Sequence, residues 1–238
     1  MTALRGIFVT GTDTGVGKTT VAAGLARYAR RIGRQPVPFK PAETGCTPEA
    51  QDARLLWEAA RPEAARPDLD LRDVCLYRFA LPAAPAQAAR AAGARLSLDA
   101  VLAAAADLAA RGDFLIVEGA GGLLVPYGDD WTAADLIERL GLRVLVVART
   151  ALGTINHSAL TVRELRRRGI SIAGLILNQT TPQAAPHETG SFPFIAAATG
   201  LDPLGPVPWV APPADPDRLA DALRDALGDP ALAALIGP

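Results

Sequence analysis

A chain of 238 residues, half of them hydrophobic and 21% charged, has the composition of a globular core and excludes a disordered or fibrous polymer. Its 24 basic and 25 acidic side chains are interspersed and sum to −1, which sets aside no basic surface for nucleic acid or an anionic membrane. Cys46 and Cys75 lack CxxC spacing and are expected as reduced thiols, and no leader-like or membrane-crossing run is present, so the expected location is the cytoplasm.

The first predicted strand, residues 6–10, runs into the glycine-rich loop GTDTGVGKTT, from Gly11 to Thr20. Glycines let backbone N–H groups turn onto phosphates, Lys18 reaches the outer phosphates of a nucleoside triphosphate, and Thr19 offers a hydroxyl to Mg²⁺. A helix predicted over 18–32 points its N-terminal dipole at the same anion. In the common form of this loop the first glycine would stand at position 12. Here that residue is Thr12 and the glycine is Gly11, so the loop is one residue longer or differently wound.

A second strand, 36–40, closes on Lys40-Pro41 and brings a second cation toward the terminal phosphate. The helix over 51–60 carries Asp52 in its first turn, where the dipole favours an acid. Residues 61–95 are rich in Pro, Ala and Arg and offer only a possible short strand at 74–78. A helix over 98–110, capped by Ser97, precedes a nearly continuous apolar strand at 113–118. Glu118 ends that strand where an NTPase places a Mg²⁺-directed acid, and Gly119-Ala120-Gly121-Gly122 lets backbone approach a ligand. A helix at 133–140, a strand at 143–148, a helix at 155–168, a strand at 173–178, a weaker strand at 204–208 and a helix at 216–227 behind Asp215 complete the pattern. His157 reads as a hydrogen-bonded structural histidine. Asn178, at a strand end, suits either a nucleobase edge or a turn. This alternation predicts an α/β fold of the P-loop NTPase type over residues 1–238 as a single domain. It would be a doubly wound, mostly parallel sheet with helices on both faces and ligands beyond the carboxyl ends of the strands.

The segments GTDTGVGKT, FKPAETG, VEGAGG, LGTINH, LILN and VPWV resemble, in order and along nearly the whole chain, the dethiobiotin synthetase family, whose loop has the longer form seen here. The resemblance implies ATP- and Mg²⁺-dependent ring closure in biotin biosynthesis. 7,8-Diaminononanoate takes up CO₂ as a carbamate, ATP phosphorylates it, and the neighbouring amine closes the ring to dethiobiotin with release of ADP and phosphate. By the same resemblance Lys18 and Lys40 are catalytic. Gly15, Val16, Gly17, Lys18, Thr19 and Thr20 hold the phosphates of ATP, with Gly119, Ala120 and Gly121 beside them. Thr19, Asp52 and Glu118 hold Mg²⁺. Thr14, Lys40 and Thr44 meet the diamine or carbamate. Asn178, Pro208, Trp209 and Val210 hold adenine, and Asp215 meets the ribose. Gly153, Thr154 and Asn156 of LGTINH bind the substrate carboxylate from a partner subunit, which implies a homodimer with shared sites. Position 15 is glycine where some relatives carry an acid, so that side-chain contact is absent.

Two other classes share the fold. Partitioning-type ATPases carry a signature lysine five residues before the second lysine. Here that position is Asp13, followed by Thr14, and no basic stripe or basic amphipathic tail accompanies it. Another small-molecule kinase or synthetase would use Lys18 and Mg²⁺ without needing LGTINH or VPWV.

Overall fold

Seven strands pair into one sheet, every pairing parallel, in a computed structural model that describes residues 4–61, 69–183 and 189–237. The elements run β1 (Gly6–Gly11), α1 (Lys18–Arg31), β2 (Pro36–Thr44), α2 (Gln51–Ala60), α3 (Leu71–Val74), β3 (Cys75–Phe79), α4 (Pro85–Ala91), α5 (Leu98–Ala109) and β4 (Phe114–Gly122). They continue through α6 (Ala133–Leu140), β5 (Arg143–Arg149), α7 (Thr154–Arg167), β6 (Ile172–Asn178), α8 (Phe192–Thr199), β7 (Leu204–Val207), α9 (Pro216–Leu227) and α10 (Asp229–Ile236), and the strand order across the sheet is β3-β2-β4-β1-β5-β6-β7.

The apolar runs explain why the sheet lies inside. Val144, Leu145, Val146, Val147 and Ala148 of β5 are all fully buried. Successive strand side chains point to opposite faces, so burial of five in a row requires cover on both. Among the covering elements, α1 turns Val21, Leu25 and Ala29 inward, and α9 packs on it through Leu219 and Leu223. The two helices meet at Gly24, where a Cβ would stand 2.5 Å from Leu223 Cδ1 and 2.9 Å from the Leu219 carbonyl oxygen.

Two strands run further than their apolar patterns predict. β2 pairs with β4 from Pro36 to Phe39, then changes partner and pairs with β3 from Lys40 to Thr44. Pro41, with no N–H to give, falls just past that handover. β4 carries on through its glycines and rejoins β1 at Gly11 beyond a register shift. Beyond Phe39 and Val117, therefore, β2 and β4 part, and the fork opens at Lys40 and Glu118. The possible strand at 74–78 is β3. No helix among the described residues is long and apolar enough to cross a membrane.

Candidate active site

The loop after β1 turns on Gly15 and Gly17, at φ 74° and 93°. These are left-handed conformations that glycine adopts without steric cost. Gly17 also has no room for a side chain, since a Cβ there would lie 2.1 Å from Asn178 Nδ2. It caps α1 without a side-chain acceptor, which leaves the first amides of the helix available to an anion. Lys18 folds back over the loop and donates to the Asp13 carbonyl oxygen at 3.0 Å. Burial lowers its ammonium pKa to about 8. The Asp13 carboxylate accepts from the Thr14 amide at 2.7 Å and faces the Arg149 guanidinium at 3.8 Å.

At the fork, Lys40 Nζ donates to Asp52 Oδ2 at 2.7 Å and to Glu118 Oε1 at 2.5 Å. Thr19 Oγ1 donates to the same Glu118 oxygen at 2.9 Å. Burial opposes the charge on Lys40, but the carboxylates of Glu118 and Asp52 outweigh it and hold the ammonium protonated. Burial likewise pushes the Glu118 carboxyl up against the pull of Lys40, whereas Asp52 is held down by Lys40 despite its own burial. Glu118 Oε2 is buried with no partner among the described residues. A hydroxyl and two carboxylates, one of which keeps the orphaned oxygen, form the hard-oxygen donor set that suits Mg²⁺, which keeps several waters and takes few protein ligands.

A cavity of 1040 Å³ opens over these groups. Of the residues singled out from sequence, it gathers Thr14, Gly15, Gly17, Lys18, Thr19, Thr20, Lys40, Thr44, Asp52, Glu118, Ala120 and Gly121. Val16 contributes only backbone: its side chain is fully buried, and its carbonyl accepts from Asn178 Nδ2 at 3.1 Å. Asn178 Oδ1 is left buried without a partner among the described residues, an acceptor beside the loop. Gly119 packs against Phe8 and does not line the cavity. Pro208 and Trp209 are exposed beyond β7, and Val210 is half-buried.

Asp215, expected at the ribose, stands at the start of α9. Its carboxylate accepts from the Asp217 amide at 2.7 Å as the N-cap of α9, and the residue lies outside the cavity, whose rim ends at Ala214. Gly153, Thr154 and Asn156 lie elsewhere, around a second cavity of 690 Å³ at the start of α7. Leu152 and Phe194 stand there 83% and 64% exposed, while Thr154 Oγ1 and Ser158 Oγ are buried with no partner among the described residues.

Two contributors carry no signal that sequence reasoning used. Tyr127 is fully buried, and its hydroxyl oxygen accepts from the Ala120 amide at 2.6 Å, fixing the backbone after Glu118. Burial pushes its phenol up to about 12. Glu43, inside the FKPAETG segment, accepts from the Asp52 and Ala53 amides at 3.0 and 2.9 Å.

Residues 5–216 match a family model described as an AAA domain. The chain is 49% identical to the ATP-dependent dethiobiotin synthetase BioD of Anaeromyxobacter dehalogenans (strain 2CP-1), over 94% of this chain and 98% of that one. It is 43% identical to the protein of the same name from Mycobacterium avium (strain 104), over 87% and 86% of the two chains. For that of Bacillus subtilis (strain 168) the identity is 34%, over 87% and 89%. Among solved structures, the MinC:MinD cell division protein complex of Aquifex aeolicus superposes with a TM-score of 0.57 at 14% identity, covering 98% of this chain and 94% of that chain. At that identity the likeness is one of fold.

Proposed function

This chain belongs to the dethiobiotin synthetase family, ATP-dependent ligases of biotin biosynthesis, and from that premise we propose the reaction and the residues that perform it. The substrates are 7,8-diaminononanoate, CO₂ and ATP, handled by a single P-loop domain. One amine of the diamine adds to CO₂ and gives a carbamate. A carbamate oxygen attacks the γ-phosphorus of ATP, ADP leaves, and a carbamic-phosphoric anhydride forms. The second amine attacks the carbonyl carbon, phosphate leaves, and the cyclic urea of dethiobiotin closes.

The observation that carries this reading is the clustering of Lys18, Lys40, Asp52 and Glu118 over one cavity at the carboxyl ends of β1, β2 and β4. A carbamate is a weak, anionic nucleophile facing an anionic phosphate, so cations and in-line positioning do most of the work. Lys18 and the amides around Gly15 and Gly17 hold the phosphates. Lys40, kept charged at the fork, faces the carbamate and the transferring phosphoryl group. Thr19, Asp52 and Glu118 are the residues that would hold Mg²⁺, which supplies neutralisation of phosphate charge when bound. Thr14 and Thr44 meet the diamine end. The free Oδ1 of Asn178 accepts from a nucleobase amino group, and the backbone of Pro208, Trp209 and Val210 borders the base.

The start of α7 completes the site from a second copy of the chain. Gly153 and Asn156 offer backbone amides, and Thr154 a buried hydroxyl, to a carboxylate, the Thr154 amide being taken by the Ala151 carbonyl oxygen at 3.2 Å. Leu152 and Phe194 beside them supply the apolar surface that a homodimer covers.

ADP release by the purified protein tests the reaction, with MgATP, bicarbonate and 7,8-diaminononanoate omitted in turn. The expected result is ADP and dethiobiotin in equal amounts, only when all three are present. ADP release without the diamine would overturn the reading and return the chain to another NTPase class.

A further inference from the structure

We infer that Glu43 is a positioning residue: from β2 it holds the first turn of α2, and with it the carboxylate of Asp52, against Lys40 and Glu118. The inference rests on the reading of Asp52 as a metal-directed acid. α2 begins behind Ala50, whose side chain has no acceptor for the exposed amides, so the helix has no local side-chain cap. Glu43 does that work from another element. Its Oε1 accepts from the Asp52 amide at 3.0 Å and its Oε2 from the Ala53 amide at 2.9 Å. Both oxygens of one carboxylate are thus spent on the two amides that a serine or aspartate N-cap would choose between.

This arrangement is costly as a cap alone. Glu43 is only 6% exposed, and burying a carboxylate is far dearer than exposing a serine hydroxyl. What it adds is registry. β2 carries both Lys40 and Glu43, so one strand fixes the lysine and also the helix end whose carboxylate meets that lysine at 2.7 Å. A local cap would stabilise α2 without tying it to β2. Small displacements at such a site are expensive, and loss of an outer-shell partner typically weakens a metal site by about 10- to 100-fold.

The test is calorimetric binding of a non-hydrolysable ATP analogue, in EDTA and across a Mg²⁺ titration. Glu43→Gln turns an amide donor toward amide donors. The Mg²⁺ concentration for half-maximal tightening of the analogue should rise about tenfold, with affinity in EDTA within about twofold of the parent. Glu43→Asp, one methylene shorter but still charged, should shift in the same direction by less and serves if the glutamine variant does not fold. Ala50 already has the extended backbone of an N-cap, so Ala50→Ser on the Glu43→Gln chain should recover the stability of α2 while leaving most of the Mg²⁺ shift in place, since a serine cap does not tie α2 to β2. An unchanged Mg²⁺ requirement in Glu43→Gln overturns the inference. Full recovery of the Mg²⁺ response by Ala50→Ser also overturns it and leaves Glu43 as a cap alone, and a further shift when Glu43→Gln is added to Asp52→Asn overturns it by putting Glu43 on the metal itself. Asp52→Asn separates the premise: if that variant keeps the parent's Mg²⁺ response, the metal reading of Asp52 has failed rather than the role of Glu43.

Discussion

The carboxyl ends of β1, β2 and β4 bury four charged side chains, Lys18, Lys40, Glu43 and Glu118, and give each a hydrogen-bond partner within the chain. The start of α7 buries two hydroxyls, Thr154 and Ser158, and gives them none among the described residues. Charges are dearer to bury than hydroxyls, so the first region has been organised at cost, with every charged group paired and Glu118 Oε2 and the nearby Asn178 Oδ1 left as unmet acceptors among the described residues. The second leaves polar groups unmet in the same place as it leaves Leu152 and Phe194 in solvent. Both regions lie at the carboxyl ends of parallel strands: one is a site whose charges are paired, and the other, beyond β5, is a surface with unmet hydroxyls beside exposed apolar side chains.

The most direct way to break that contrast is to remove a charge from the paired side. Lys18→Ala should slow turnover by at least ~10²-fold, the loss of one transition-state donor. Turnover near the parent value would show that the buried cation is structural.

The side with unmet hydroxyls is tested by mixing two inactive variants. Lys40→Ala removes the ammonium at the fork, and Asn156→Asp sets a carboxylate against the substrate's carboxylate. If sites are shared, a mixed dimer holds one doubly damaged site and one intact site. Random reassortment then restores about a quarter of parental activity. No recovery, with mixed dimers verified by mass, would place the whole site in one chain.

How far these regions are legible without coordinates follows from what each residue must do. The phosphate loop is readable because glycine is demanded by backbone geometry, at Gly15 and Gly17, and lysine by charge. Lys40 and Glu118 show up as charges at the ends of apolar runs, although both strands continue beyond them. Glu43 is silent because its partners are backbone amides nine and ten residues ahead, which leave no mark on residue type. α4, α8 and α10 escape a periodicity reading because PAQAARA, FPFIAAAT and DPALAALI are short and carry no clear polar stripe.

A gentler probe uses the proton on Lys18. Its pKa is lowered to about 8 by burial, so near pH 8 about half of the free enzyme carries a neutral amine there. Triphosphate stabilises the charged form and raises that pKa, so binding takes up a proton in this range. Calorimetry in buffers of different ionisation enthalpy should find uptake of about half a proton at pH 8 and close to none at pH 6. Equal uptake at both values would mean that the loop lysine is already charged throughout.

The smallest effect expected concerns the boundary of the paired region. Asp215 sits one residue past the cavity rim and was the expected ribose contact, yet its carboxylate is engaged with the Asp217 amide. A carboxylate beside a helix start has two possible employments, and the geometry here assigns the cap. Asp215→Ala should therefore cost about 1 kcal/mol of unfolding free energy, as loss of an N-cap does, and leave nucleotide affinity unchanged. Asp215→Ser, which keeps an acceptor at the cap, should recover most of that stability. If instead affinity for the nucleotide falls while the unfolding free energy holds, the α9 start joins the nucleotide site, and the line between the two regions moves outward past Ala214.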